Sequence, residues 1–297
     1  MNILIAGATG FLGGELLKQL SKTKHSIRCL VRKKEDSSRF SAKCYIAVGD
    51  LLDLDSLYAA AKNIDIVYCL VHTMGIQKNR GNLLATEKTA ALNLAKACRK
   101  NNVKRIIYMS GLMAAKDAKS EHLKGRWIFE NEIINSGIQY TIFRAGMIIG
   151  MKSLPFRTLY LTAKYFPIIF LPKWAKTKME PVALDDVLFY LIDSLKNKKT
   201  INKIIEIGVG KGYAYEEILG EIEKAIKKRR PHIILPFYLL RSTALYISIL
   251  ANTPYKETIE LAKSLKIDMY CRERKIKDIF KREPLDFGSA IRNALSL

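Results

Sequence analysis

At 297 residues, 49% of them hydrophobic, the chain is long enough to bury a large core, as one large α/β domain with a smaller C-terminal elaboration. Its five cysteines are odd in number and scattered, which argues against a disulfide framework and suits a reduced, cytoplasmic protein. The formal net charge of +22 favours anionic partners, whether dinucleotide phosphates, nucleic acid or an acidic membrane face, and part of it is a plain lysine-rich surface.

No secretory signal precedes the first predicted strand, the apolar run Ile3 to Ala6. That strand breaks at Gly7, and glycines recur at Gly10 and Gly13 ahead of a helical pattern, Leu12, Leu16, Leu17 and Leu20. Strand, glycine turn and helix N-terminus form a phosphate-binding device: glycines let the backbone approach a pyrophosphate, and free amides at the positive end of the helix hold its charge. Further strands are expected at Ser26 to Val31, Cys44 to Val48, Asp65 to Val71, Arg105 to Met109 and Gln139 to Phe143. A long helix intervenes with Ala90, Ala91, Leu94, Ala95 and Cys98 on one face, and another begins near Ser120. Near-continuous apolar strands between helical patterns predict a doubly wound parallel sheet over residues 1–150. Its ligand edge lies at the carboxyl ends of the strands, at the switch point between strands one and four. The glycine turn, Asp50, His72 and Ser110 should lie along it.

Residues 151–297 read as a substrate or lid region. Leu154 to Phe170 mixes aromatic and aliphatic residues with Pro155 and Pro167, and Leu171-Pro-Lys-Trp174 follows. Asp185-Asp186 starts a helix running to Leu195, with Asp186 expected as its cap, and Lys203 to Ile207 is a late strand. Residues 233–251 are the most apolar window, but Pro236 and Arg241 inside it argue against a membrane span. The window reads as an apolar lid or packing helix, with interfacial membrane contact as the alternative.

Gly7-Ala-Thr-Gly-Phe-Leu-Gly13, Gly49-Asp50-Leu51, Ile106-Ile-Tyr-Met-Ser110-Gly111 and Arg144-Ala-Gly146 stand in the order seen in atypical short-chain dehydrogenase/reductases. The chain resembles their NmrA-like, NAD(P)H-binding branch, related to nucleotide-sugar epimerases. The resemblance covers the first 150 residues well and continues loosely through Glu180 to Val187, Glu206-Ile-Gly208 and Pro284-Leu-Asp-Phe287. It implies a Rossmann-type fold with Gly7, Gly10 and Gly13 on the pyrophosphate and Thr9, Phe11 and Leu12 lining the turn. It further implies Asp50 and Leu51 beside the adenine, and Val71, His72 and Thr73 beside the ribose and nicotinamide. Ala145 and Gly146 join the cofactor residues. Asp50 has a second reading, as an ordinary helix cap.

The end of strand two decides between dinucleotides. An acid there takes the ribose hydroxyls of NAD, whereas a basic residue accepts the 2′-phosphate of NADP. This strand ends Leu30-Val-Arg-Lys-Lys34, so Arg32 and Lys33 point to NADP(H), with NAD as the alternative cofactor and a solvated basic loop as the bland reading. The family's Tyr-x-x-x-Lys pair is missing from its expected place, which His122-Leu-Lys-Gly-Arg126 occupies. Spacing of i, i+4 puts both side chains on one helical face. His122, with an unperturbed pKa of about 6.5, is the candidate proton-transfer group, and Arg126 a fixed cation for phosphate or a substrate oxyanion. The bland reading is an exposed first turn with an Arg126–Glu130 ion pair. Ser110 is near the place of the family's hydroxyl, which often falls one residue later, at Gly111 here.

No Cys or His pair has metal-ligand spacing, no G-x-S-x-G elbow occurs, and the basic stretches carry no helix-turn-helix or RNA-binding signature. The expected function is an NAD(P)H-dependent oxidoreductase or epimerase-like enzyme, set against a non-catalytic redox sensor or assembly protein. Its expected partners are a dinucleotide and a fairly large apolar substrate such as a quinone, isoprenoid or acyl compound, with peripheral contact with an anionic membrane face as an alternative reading of the charge and the apolar window.

Overall fold

The computed structural model describes residues 1–40, 42–71, 82–273 and 276–296. The chain runs β1 (Asn2–Ala6), α1 (Phe11–Leu20), β2 (Ser26–Val31), β3 (Tyr45–Val48), α2 (Leu54–Ala60), β4 (Ile66–Cys69), α3 (Leu83–Lys100), β5 (Arg105–Gly111), α4 (Glu121–Ile134) and β6 (Gln139–Ala145). It continues through β7 (Ile148–Ile149), α5 (Leu154–Tyr165), β8 (Ile169–Leu171), β9 (Lys178–Met179), β10 (Val182–Ala183), α6 (Leu184–Asp193) and β11 (Lys203–Ile207). The remainder is β12 (Tyr213–Ala214), α7 (Tyr215–Ala225), β13 (His232–Ile234), α8 (Leu240–Ala251), α9 (Tyr255–Ser264), α10 (Ile276–Ile279) and α11 (Phe287–Leu295). Two compact units result. The first comprises Met1–Asp117, Lys124–Arg144 and Leu188–Ile205, the second Ala118–Leu123, Ala145–Val187 and Glu206–Leu297.

The first unit is built on the seven-stranded sheet, in the order β11-β6-β5-β4-β1-β2-β3. Ile3 to Ala6 of β1 are buried on both faces, as an interior strand of a helix-covered parallel sheet requires. Ala6 lies opposite Leu30 of β2 and Cys69 of β4, both pairings parallel, and β2–β3 and β4–β5 are parallel too. Chain order therefore reverses between β1 and β4, the switch point where doubly wound folds take their ligands. The helices present the faces their periodicity predicts: Leu12, Leu16, Leu17 and Leu20 of α1 are buried, as are Ala90, Ala91, Leu94, Ala95 and Cys98 of α3. Tyr108 of β5 stacks on Phe129 of α4 with ring centroids 4.6 Å apart.

The carboxyl ends of three strands differ from the sequence reading, and β3 and β4 each begin one residue later than expected, at Tyr45 and Ile66. β4 stops at Cys69 rather than Val71, although the Leu70 N–H still bonds the Ala6 carbonyl at 2.8 Å. β5 runs on to Gly111 and takes Ser110 into the sheet, and β6 reaches Ala145. Apolar pattern marks where a strand is buried, not where its backbone pairing ends.

In the second unit, β7 pairs with β10, β9 with β12 and β8 with β13, each a two-stranded ribbon. The window at 233–251 is not one helix: β13 is followed by Pro236, by Leu239 at φ 44° and only then by the 12-residue α8. Among the described residues no helix is long and apolar enough to cross a membrane. Asp186 does not cap α6. It lies inside the helix, fully buried, and accepts from Arg282 Nε at 2.9 Å and the Leu285 N–H at 2.8 Å. The C-terminal segment thus supplies its partners, which a cap reading based on adjacent residues cannot see.

Candidate functional site

The glycine turn between β1 and α1 is shaped by close backbone approach. Gly7 has φ +97°, and a Cβ there would lie 2.8 Å from the carbonyl carbon and oxygen of Leu70, at the end of β4. The Gly7 carbonyl accepts the Gly10 N–H at 3.0 Å. A Cβ on Gly13 would fall 2.1 Å from that same oxygen, so only glycine lets α1 pack directly on the turn. Gly10 is the N-cap and offers no side chain, and the first turn of α1 holds no acid. Its leading amides and positive dipole end therefore lack the side-chain acceptor that most helices carry there. Thr9 and Gly10 are exposed, Phe11 is half-buried, and the Leu12 side chain is buried in the core, so its contribution to the turn is backbone.

Arg32 and Lys33 follow directly on β2 and are exposed. The Gly49 N–H donates to the Val31 carbonyl at 2.8 Å, bringing the Gly49-Asp-Leu51 segment to the same strand end. Asp50 Oδ1 accepts the Leu52 N–H at 3.0 Å, a local turn, while the cap of α2 is Asp53, which accepts from the Asp55 and Ser56 N–H groups. Leu51 is buried, and its carbonyl accepts from Asn93 Nδ2 at 3.0 Å.

Arg126 is not on an exposed turn. It is 5% exposed, and its Nη1 donates to the Val71 carbonyl at 3.1 Å and to the Tyr108 hydroxyl at 2.9 Å. Burial alone would pull the guanidinium down. The carboxylate of Glu87 and the hydrogen bond to the Tyr108 hydroxyl outweigh that and hold it above its ordinary value, so the cation persists. Burial keeps the Tyr108 phenol protonated. Gly125 makes room for this cluster, since a Cβ there would come within 2.8 Å of Glu87 Cγ. The expected Arg126–Glu130 pair is replaced by another: Glu130 is engaged at both oxygens by Arg144, Oε1 from Nε at 3.0 Å and Oε2 from Nη2 at 2.5 Å. Arg126 thus fixes the carbonyl of Val71, the last described residue before 72–81.

Ser110 is 5% exposed near the end of β5, and its Oγ has no hydrogen-bond partner among the described residues. An orphaned buried hydroxyl is costly unless something else meets it. His72 and Thr73 lie outside the described residues. The first unit therefore brings together Gly7, Gly10, Gly13, Val71 and Arg126. His122, half-buried in the first turn of α4, buried Ala145 and half-buried Gly146 belong to the second unit. Sequence reasoning missed Tyr108 and Glu87. Glu87 carried a signal, being a carboxylate four residues after Leu83 and three before Ala90, on the buried stripe of α3.

A family model described as NAD(P)H-binding matches residues 7–160, more than half of the chain. The chain belongs to that NAD(P)H-binding family. Among its relatives, the mitochondrial NADH dehydrogenase [ubiquinone] 1 alpha subcomplex subunit 9 of Arabidopsis thaliana is 25% identical over 81% of this chain and 61% of its own. The NAD(P)H azoreductase of Xenophilus azovorans is 28% identical over 50% of this chain and 48% of its own. The chain thus spans about half to three-fifths of the length of these curated relatives. Across whole chains, the NADPH-dependent quinone oxidoreductase of Escherichia coli, solved with NADPH, has the same fold at TM-score 0.77 and 16% identity, covering 99% of each. The Rossmann-type fold and the NAD(P)H-binding family read from the motifs hold.

Proposed function

We propose that the chain is an NADPH-preferring oxidoreductase acting on an apolar, conjugated acceptor such as a quinone. The observation that carries the cofactor half is the α1 N-terminus, left without a side-chain cap and held by Gly7 and Gly13, with Arg32 exposed beyond β2. The amides of the first turn take the pyrophosphate, and Arg32 with Lys33 takes the 2′-phosphate as charge-assisted contacts. Arg126 positions the end of β4 through the Val71 carbonyl, and Ser110 Oγ donates to the bound ligand. Bound NADPH supplies hydride, and His122 supplies the accompanying proton. The quinone and azo reductases among the similar proteins support an acceptor of this class.

Calorimetric titration tests the cofactor half. NADPH is expected to bind more tightly than NADH, and equal affinity or the reverse order overturns the preference. NADPH oxidation followed by absorbance, with quinones, azo compounds, aldehydes and enones offered in turn, tests the other half. A second reading, dinucleotide binding without turnover, is favoured by Arg126. The cation standing where the family has its catalytic lysine is committed to Val71 and Tyr108 inside the protein. A relative named as a subcomplex subunit supports it as well. If no acceptor is reduced and His122→Ala leaves NADPH binding unchanged, this second reading replaces the first.

A further inference from the structure

We infer that the second unit carries a docking face for an anionic lipid surface, centred on the β8–β13 ribbon. The ribbon is parallel, with Ile169 opposite His232, Phe170 opposite Ile233 and Leu171 opposite Ile234. Along β8 burial alternates strictly. Ile169 and Leu171 are buried, whereas Ile168 and Phe170 are exposed, Phe170 to 60%. Partners across paired strands share a face, so exposed Ile233 stands beside Phe170. The strand exits extend the apolar surface. The Lys173 N–H donates to the Phe237 carbonyl at 2.8 Å, and Phe237 is 64% exposed. Exposed apolar surface gathered in this way marks an interaction site rather than ordinary scatter.

The charge around this face says what covers it. At one end Lys164 lies over the ring of exposed Tyr165 at 5.1 Å, and Lys228 Nζ donates to the Lys164 carbonyl at 2.8 Å. At the other end Lys173 and Lys266 both approach the Tyr238 ring, at 5.6 and 5.0 Å. No Asp or Glu occurs from Lys152 to Met179 or from Lys224 to Lys256. The acid just before the second run, Glu223, is buried and bonded to His232 at 2.7 Å. A second copy docked on this face would set lysines against lysines, with no carboxylate in either stretch to answer them; Asp268, two residues from Lys266, is exposed but already accepts the Lys178 N–H at 2.8 Å. Anionic headgroups answer all of them, while Phe170, Ile233 and Phe237 enter the acyl boundary and tyrosines with lysine stems occupy the interface.

The test is sedimentation of the whole protein with vesicles of phosphatidylcholine alone or with about a third phosphatidylglycerol. Binding to the anionic vesicles only is expected, weakened by salt but not abolished. Phe170→Ser combined with Ile233→Ser changes two exposed side chains and should lower the bound fraction about tenfold while NADPH titration stays unchanged. Lys173→Gln with Lys266→Gln should lower it on anionic vesicles as well. Absence of binding, equal binding to both vesicle types, or complete release by salt overturns the inference. So does a dimer in sedimentation equilibrium that the Phe170/Ile233 double variant dissolves, which would give the face to a second copy.

Discussion

The two edges of the central sheet are finished in opposite ways. At the amino edge, side chains tie neighbouring strands together. Asp65 Oδ2 accepts the Asn2 N–H at 2.8 Å and its Oδ1 meets Lys104 Nζ at 2.7 Å, while Arg28 Nη1 reaches the carbonyls of Ala60 and Lys62. At the carboxyl edge backbone and missing side chains dominate: Gly7 lies against Leu70 and Gly13 against Gly7, and the Ser110 hydroxyl has no partner among the described residues. Two side chains reach in to hold backbone there, Arg126 the carbonyl of Val71 and Asn93 that of Leu51. One edge is closed by its own residues. The other leaves donors for a ligand, as the ends of strands at a switch point do.

The largest break in that comparison comes from removing the buried side chain that braces the end of β4. Arg126→Leu deletes both hydrogen bonds and the cation that the buried Glu87 carboxylate faces, and should cost about 4 kcal/mol in urea unfolding. Arg126→Lys keeps the charge and should lose less. If Arg126→Leu unfolds at the wild-type midpoint, the cluster is not a brace, and a role on substrate becomes the better account. Gly13→Ala comes next. Its new Cβ would meet the Gly7 carbonyl at 2.1 Å, so the helix must shift off the turn. A loss of about 3 kcal/mol is expected, with NADPH binding lost beyond detection in the same titration. A stable Gly13→Ala protein that still binds NADPH would show that the turn is not the cradle.

These two positions also show what could be read from the chain and what could not. Gly13 was legible because a glycine in a strand–turn–helix pattern reports backbone geometry, which is local. The limits of β2 and β11 and the buried stripes of α1 and α3 were legible for the same reason. Arg126 was placed on the right helix but given the wrong surroundings, because its partners Tyr108 and Val71 stand 18 and 55 residues away. Asp186 failed alike, its partner Arg282 lying 96 residues on. Side-chain pairing at long separation is fixed by packing, and packing has no period in the sequence.

Arg32 sharpens the comparison without touching stability. It is exposed at the open edge, so Arg32→Asp should leave the unfolding midpoint unchanged. NADPH affinity should fall ten- to a hundredfold, the loss of one charge-assisted contact worth about 1.5 to 3 kcal/mol, while NADH binding holds or improves. Equal losses for the two dinucleotides would mean that the residue stands away from the 2′-phosphate and acts only through general charge.

The smallest effect belongs to the closed edge and is read through pH. The Lys104 ammonium, helped by the Asn2 N–H, holds the Asp65 carboxyl below the usual carboxylate range. An acid whose pKa is depressed in the folded state adds stability above its unfolded pKa of about 3.9, and that stability is lost as pH falls through the folded value. Asp65→Asn should therefore cost under about 1 kcal/mol at neutral pH, the pair being solvent-exposed on the lysine side. The two proteins should converge as the pH is lowered below 4, since a protonated Asp65 offers Lys104 no more than an amide does. A difference that persisted unchanged into acid would locate the contribution in the neutral hydrogen bond to Asn2. One that grew would reverse the sign of the shift and with it the view of this edge as an electrostatic clasp.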